Sequence, residues 1–260
     1  SSQKGSMESN IYIENNKMES YLNYGIFAYY CANLHINNNS IKNDLKSIYT
    51  YPNALRPYYC INVEITKNHL QASGNGGGYG IYMYSTNRYG AGSDVATVNN
   101  NFITVGNDRS NGTRYGVYLG YYDYRVNFYH NNVCVLGTGS GTNYALYSRY
   151  TRNSNIRNNI FENKAGSNTW YRLSNSSVTG DYNGYWTGIA GVNGVTGGTA
   201  GTNSMVTNPR FKNPTVGDLR VNSVQLDSAA TNVGINEDIF SATRVLGFHD
   251  IGAHEFDVCY

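Results

Sequence analysis

The side chains best suited to chemistry in this sequence are charged residues in polar stretches between apolar segments. Four of them are candidates for a single catalytic site: Asp108, Arg114, Asp123 and Arg149. A general acid or base must lie within hydrogen-bond reach of the proton that it transfers, so these side chains could act only if the fold brings their loops together. Charged groups in polar loops are usually just solvated, which is the simpler interpretation of all four.

Two cysteines stand at equivalent places in the sequence. Cys31 and Cys60 each follow two tyrosines and precede an apolar residue by three positions. If the segments around them stack on each other, the two side chains become neighbours that can form a disulfide in an oxidising compartment. The alternative is a pair of small buried thiols that fill a corner. Cys134 and Cys259 have no partner that the sequence identifies.

Composition and motifs exclude several classes of function. No set of His, Asp and Glu has metal-ligand spacing, and there is no phosphate loop or nucleophile elbow, so we predict no metal and no cofactor. A net charge of +2 is too weak to argue for a nucleic-acid partner. No apolar run approaches the roughly 18 residues of a membrane span, so we expect no membrane insertion. The chain begins with Ser1, and we interpret it as a mature or excised form whose targeting segment is not shown.

A repeat determines which elements must position these groups. An asparagine with an apolar residue three positions before it and another two positions after it recurs six times: Asn16, Asn39, Asn68, Asn101, Asn131 and Asn159. Successive asparagines are 23, 29, 33, 30 and 28 residues apart, which suits the coils of a solenoid with loops of variable length. Because asparagine tolerates the left-handed backbone conformation, we place each one at a tight corner and expect the amides to stack as a structural ladder.

Three strands per coil are predicted around each asparagine. Alternating apolar residues before it and a short apolar stretch after it predict two of them. A Tyr-Gly-Ile-aromatic motif predicts the third, at 24–27, 79–82 and 115–118, more loosely at 143–147, with 47–49 filling the second coil. This pattern is typical of an all-β fold, the right-handed parallel β-helix. We expect residues 1–186 to form its coils and 187–260 to form an irregular C-terminal covering segment of the same domain.

The third strand places aromatic side chains in one outward column. Its predicted members are Phe27, Tyr49, Tyr82, Tyr118 and Tyr147. Tyrosine combines a flat apolar face with a polar handle, so the column suits stacking on pyranose rings and contact with protein partners alike. Two further interpretations stay open, since loops could fold over the column and bury it, or it could be the lateral contact surface of a fibre.

The repeat and the third-strand motif resemble the pectin-lyase-like β-helix family over about residues 11–175. That family includes lyases, hydrolases, phage tailspikes and adhesins, and the resemblance implies a saccharide cleft on the aromatic strand. Lyases of this fold use a Lys or Arg base with cations that neutralise the substrate, so Ca²⁺ is implied only if the protein is a lyase. Hydrolases need paired carboxylates. The aromatic strand has no Asp, Glu or Lys at its outward positions, which disfavours an enzyme.

The C-terminal stretch that ends in residues 250–256 resembles the closing segment of secreted bacterial β-helix proteins, including Bacteroidota-type surface proteins. The resemblance implies that it covers the C-terminal end of the helix, with Asp250 and Glu255 making capping hydrogen bonds. The first coil would then carry open strand edges, which favour self-association or continuation through the N-terminal coil.

We therefore expect a secreted or cell-surface protein that binds polysaccharide along the aromatic column. Two alternatives stay open: a polysaccharide lyase or glycoside hydrolase of the same fold, and a structural or adhesive fibre subunit.

Overall fold

The computed structural model describes residues 6–43, 51–108, 110–138, 141–166, 168–173 and 175–256. The chain winds into a right-handed parallel β-helix with three strands per coil, as the repeat predicts. The strands, in chain order, are β1 (Glu8–Glu14), β2 (Lys17–Glu19), β3 (Tyr24–Tyr29), β4 (Cys31–Asn37), β5 (Ser40–Asn43), β6 (Asn53–Tyr58), β7 (Ile61–Thr66), β8 (His69–Ala72), β9 (Gly77–Tyr84), β10 (Ala96–Asn99), β11 (Phe102–Val105), β12 (Thr113–Gly120), β13 (Val126–Tyr129), β14 (Asn132–Val135), β15 (Asn143–Ser148), β16 (Arg152–Arg157), β17 (Ile160–Asn163), β18 (Asn168–Arg172), β19 (Ser177–Asp181), β20 (Gly184–Trp186), β21 (Val195–Thr196) and β22 (Met205–Val206).

The strands form three parallel sheets. Sheet A contains β1, β4, β7, β10, β13, β16 and β19; sheet B contains β2, β5, β8, β11, β14, β17, β20 and β22; and sheet C contains β3, β6, β9, β12, β15, β18 and β21. Two short 3₁₀ helices, Pro214–Val216 and Val224–Leu226, follow the last strand.

The inward faces of the strands form the core because side chains alternate between the two faces of a sheet. In sheet A one inward column runs from Ile36 through Ile65, Val98 and Phe128 to Ile156. All five side chains are fully buried. Like side chains on neighbouring coils therefore stack along the helix axis, which explains the regular apolar positions in the repeat.

The predicted asparagine ladder lies at the corner between sheets A and B. The side-chain oxygen of Asn68 accepts hydrogen bonds from the backbone nitrogen and the amide nitrogen of Asn39, at 2.9 and 3.0 Å. Asn101 accepts the same pair from Asn68, and the pattern continues through Asn131 and Asn159. Each interior asparagine thus joins neighbouring coils through a buried amide.

The left-handed backbone conformation lies one residue earlier than predicted. It is adopted by the residue before each ladder asparagine: Asn15, Asn38, Lys67, Asn100, His130, Asn158 and Tyr182, with φ between 51° and 59°. The placement of the tight corner was right, but the reason given for asparagine was wrong. The ladder position requires an inward amide, whereas the left-handed residue beside it can be a lysine or a histidine because its side chain takes no part in the ladder.

The helix extends beyond the boundary predicted at residue 186. Asn183 continues the ladder by accepting the backbone N–H of Asn159 at 3.0 Å, and Ser204 Oγ accepts the N–H of Asn183 at 3.0 Å. Strands β21 and β22 add to sheets C and B, so the last turn reaches Val206. A serine ends the ladder, and the asparagine repeat could not reveal this turn.

The C-terminal segment lies along the outer face of sheet B, and the prediction that it covers the end of the helix was wrong. Leu219, Leu226 and Ile251 of this segment are buried against Phe102 and Ile160 of sheet B. Sheet B carries these apolar side chains on its outward face, so the segment removes them from water.

Two acidic residues accept hydrogen bonds that fold the C-terminal segment back on itself. Asp250 accepts the backbone N–H groups of Ser228 and Phe256 at 2.7 and 2.6 Å. Glu255 pairs with the buried guanidinium of Arg244 at 2.8 Å. These carboxylates therefore hold the covering segment together and do not cap the β-helix itself.

Candidate functional site

Sheet C presents a continuous aromatic surface on its outward side. Two adjacent columns form its middle: Tyr79, Tyr115 and Tyr144 pair in register on successive coils, as do Tyr82, Tyr118, Tyr147 and Tyr171. We call the surface made by the following outward side chains the aromatic face: Tyr24, Phe27, Tyr29, Tyr58, Tyr79, Tyr82, Tyr84, Tyr115, Tyr118, Tyr144, Tyr147 and Tyr171.

The Tyr-Gly-Ile-aromatic motif explains why two aromatic rings per coil face outward. Gly80 and Ile81 are both buried, so Tyr79 and Tyr82 lie on the outer side, three residues apart. A Cβ at Gly80 would collide with the side chain of Ile103 in sheet B. Glycine is therefore required here by close packing between sheets B and C, and the motif positions the tyrosines as a consequence.

The rings of the aromatic face lie against each other. Tyr118 stacks on Tyr147 with centroids 4.9 Å apart, and Tyr147 stacks on Tyr171 at 5.8 Å with an interplanar angle of 6°. Tyr79 stacks on Tyr115 at 5.1 Å. This mutual packing leaves the central rings half-buried while their outer surfaces stay open to solvent, and Phe27 near one end is 50% exposed.

Arg56 occupies the position in the column that was predicted for Tyr49. Tyr49 lies outside the described residues, and the second-coil strand of sheet C is β6, so Phe27 pairs with Arg56. The prediction that 47–49 fill this strand was wrong. Phe27 lies four residues before Cys31, and Arg56 lies four residues before Cys60. The spacing from the two cysteines would therefore have identified Arg56.

The guanidinium of Arg56 lies among aromatic rings. It is 4.7 Å from the ring centroid of Tyr82 and 5.3 Å from that of Tyr24, within cation–π range. Its Nη1 donates a hydrogen bond to the Tyr24 hydroxyl at 2.9 Å, and its buried Nε finds no partner in the described part of the chain. Stacking therefore holds this cation on the aromatic face, and no carboxylate of the described residues pairs with it.

Other cations border the aromatic face. Arg88 lies 4.6 Å from the ring centroid of Tyr122, and Arg149 lies 5.2 Å from that of Tyr150. Hydrogen bonding to Tyr150 raises the pKa of Arg149 above its usual value. The described strands of sheet C contain no Asp, Glu or Lys, so the charge on this surface is positive.

The tyrosines themselves stay neutral near pH 7. Burial raises the pKa of Tyr84 to about 12. Burial likewise raises the pKa of Tyr82 and Tyr115 above the usual value for tyrosine. Their hydroxyls are therefore hydrogen-bond donors and acceptors on a flat apolar support.

The four catalytic candidates do not meet at one site. Asp108 is exposed, whereas Arg114 is fully buried and donates from Nε to Asn143 Oδ1 at 2.7 Å. Asp123 is buried and accepts the N–H of Thr86 at 2.7 Å, and burial raises its pKa to about 7. Arg114 lies near the start of β12 and Asp123 lies beyond its end, so the strand separates them by roughly 20 Å. Of the four, Arg149 contacts the aromatic face.

The cysteine pair lies at the corner between sheets C and A. The register that pairs Ala32 with Ile61 places Cys31 beside Cys60, as predicted. Both are buried free thiols, and a hydrogen bond from Cys60 lowers the pKa of the Cys31 thiol below its usual value. The arrangement corresponds to the thiol alternative, and the disulfide stays a prediction.

The remaining chemical groups are structural contacts. His35 Nδ1 lies 2.9 Å from Glu64 Oε2 on the adjacent coil of sheet A. Within the described parts of the chain, no three His, Cys, Asp or Glu side chains are placed to hold a metal ion. Over the same residues, no helix is long and apolar enough to cross a membrane.

No protein-family model matches this sequence, and no curated protein is significantly similar to it.

Proposed function

We propose that the protein binds polysaccharide along the aromatic face of sheet C, outside the cell or at its surface. The observation that carries the proposal is the row of stacked, half-exposed tyrosines that pair coil by coil from Tyr79 to Tyr171. Flat rings with polar edges suit the apolar faces and hydroxyl groups of pyranose units. A row of rings that advances by one coil at a time, about 4.8 Å, offers repeated contacts to a linear polymer.

The cations on the aromatic face favour acidic over neutral polysaccharides. Arg56 lies within the column and has no carboxylate partner among the described residues, and Arg149 contacts Tyr118 at its border. Carboxylate or sulfate groups on a glycan would form charge-assisted hydrogen bonds with these side chains. The similarity in sequence pattern to pectin-lyase-like proteins is consistent with a saccharide ligand at this sheet.

Binding of defined acidic and neutral glycans, measured by isothermal titration calorimetry, tests the proposal. We expect Tyr82→Ala and Tyr118→Ala each to weaken binding roughly threefold to tenfold, because each removes one stacking ring. Tyr12→Ala is the matched control, since Tyr12 is 62% exposed on sheet A, away from the aromatic face. Unchanged affinity in both aromatic-face variants would contradict the proposal.

The same glycans separate binding from catalysis. The lyase alternative requires new unsaturated ends, which absorb in the ultraviolet, after incubation with the protein. The appearance of unsaturated ends would show that the aromatic face is the cleft of a lyase. Arg149 would then be the first candidate base to substitute, because it contacts the tyrosines.

A second candidate function is self-association through the first coil. Strands β1, β2 and β3 each pair on one side only within the described residues, and Tyr12 and Leu22 are more than half exposed there. Open strand edges are templates for further strands. Sedimentation velocity over a concentration series tests this candidate, and a monodisperse monomer at the highest concentration would count against a fibre.

A further inference from the structure

A cleft separate from the aromatic face opens between sheet B and the C-terminal segment. Its volume is about 310 Å³, which lies within the range of small-molecule sites. Lys42 and His69 from two coils of sheet B line one side, and Asp218, Arg220 and Phe240 of the C-terminal segment line the other. The cleft exists only because the C-terminal segment lies along sheet B.

Two polar side chains in the cleft are free to bind a ligand because they form no hydrogen bond or ion pair with the described residues. Among the residues that the structure describes, Lys42 forms no ion pair and the ring of His69 forms no hydrogen bond. Burial and the nearby charge of Lys42 lower the pKa of His69, so its neutral ring offers one donor and one acceptor near pH 7. Asp218 is already paired with Arg220 at 2.6 Å, so Lys42 is the uncompensated charge.

Aromatic rings form the apolar part of the cleft. The His69 ring lies 5.2 Å from Phe102, and Phe102 lies 5.9 Å from Phe240, both in edge-on arrangements. Phe102 is buried, whereas Phe240 is 51% exposed. Phe240 therefore offers an accessible ring on which a flat ligand can stack.

We propose that this cleft binds a small monocarboxylate that carries a ring. The carboxylate accepts hydrogen bonds from the Lys42 ammonium and the N–H of His69, and the ring packs on Phe240. An aromatic acid and a uronic acid monosaccharide share this chemistry, so both are candidates for the ligand.

Ligand-detected NMR and calorimetry on the full chain test the site with benzoate and galacturonate as probes. Benzyl alcohol and methyl galactoside serve as their uncharged counterparts. We expect at least one carboxylate to bind with a Kd of about 1 mM or lower, and its uncharged counterpart to bind about tenfold more weakly. Binding of benzoate alone identifies an aromatic-acid site, and binding of galacturonate alone identifies a sugar-acid site.

Variants separate this site from general electrostatic attraction. Lys42→Met should weaken binding of the carboxylate about tenfold, and Phe240→Ala should weaken it severalfold. Lys17→Met is the control, because Lys17 lies on the adjacent strand of the same sheet but is exposed and paired with Glu19 at 3.0 Å. The proposal fails if neither carboxylate binds at about 10 mM, if the uncharged probes bind equally well, or if Lys42→Met and Lys17→Met have the same effect.

Discussion

Replacing a ladder asparagine in the middle of the stack should destabilise the fold far more than replacing the one at its start. The side chain of Asn101 donates to Ile65 O, Asn99 O and Asn131 Oδ1, at 3.0, 2.9 and 2.8 Å. It also accepts from the backbone and side-chain nitrogens of Asn68, both at 3.0 Å. All of these groups lie in or beside a fully buried position, where water cannot replace a lost partner.

The magnitude follows from the groups left without partners. Asn101→Ala removes the two amide hydrogens that these three acceptors share and the oxygen that accepts twice. It leaves at least the buried N–H of Asn68 unsatisfied, so the loss costs roughly 3–5 kcal/mol in total. The exposed side chain of Asn16 donates to Glu14 O and Asn39 Oδ1 and accepts from no described residue. Asn16→Ala should therefore cost about 1 kcal/mol or less.

Urea unfolding followed by circular dichroism, with linear extrapolation to water, measures both losses. Asn111→Ala, at an exposed position outside the ladder, is the control for asparagine substitution in general and should lie within about 0.5 kcal/mol of the wild type. Equal losses for Asn101→Ala and Asn16→Ala would refute the reasoning, because they would mean that burial of the amide contributes nothing.

Three further predictions concern other buried positions. The pKa of Asp123 is about 7 in the folded protein and 3.8 without burial, so the folded state binds the extra proton between these values and stability should fall as pH rises through that window. Asp123→Asn should flatten this part of the pH–stability profile, because the wild type loses about 4 kcal/mol of folding stability across the window and the amide does not titrate. If urea unfolding shows the same dependence of stability on pH in both proteins, Asp123 is not the group responsible. Under oxidising conditions Cys31 and Cys60 should form a disulfide, so non-reducing mass spectrometry should show that the wild type loses about two hydrogen masses and that Cys31→Ser does not. Free thiols at both positions after oxidation would rule out the disulfide. Gly116→Val should lower stability by about 1–3 kcal/mol or more, since a side chain there meets Val133, and a wild-type melting temperature would show that sheets B and C are not so closely packed.

The repeat could be predicted from the sequence because each coil buries equivalent residues. Ile36, Ile65 and Val98 occupy one buried column, and the alternation of apolar and polar residues around them records which face is inward. The asparagine positions were predictable for the same reason, since they recur at a fixed distance from the inward apolar residues, and a side-chain amide supplies both a donor and an acceptor at each step of the ladder. The pairing of Cys31 with Cys60 followed directly from this register.

The candidate site was only partly predictable. Tyr82, Tyr118 and Tyr147 were placed correctly in one outward column, because the Tyr-Gly-Ile-aromatic motif recurs with its inward glycine. Arg56 was missed because β6 lacks the motif and an alternative match lay nearby at 47–49. The tyrosines that begin the motif, such as Tyr79, were missed as members of the outward surface. Strict alternation of side chains along a strand would place Tyr79 and Tyr82, three residues apart, on opposite faces.

By itself the sequence determined the solenoid, its three strands per coil, its asparagine ladder and the presence of an aromatic column, since all of these repeat and a repeat is a local pattern. Only the tertiary structure decided where unrepeated parts lie. It buries Arg114 against Asn143 and Asp123 against Thr86, and it places the C-terminal segment along sheet B, where a cleft forms beside Lys42. Contacts between residues far apart in the chain depend on how whole faces fit together, and no spacing within the sequence records that fit.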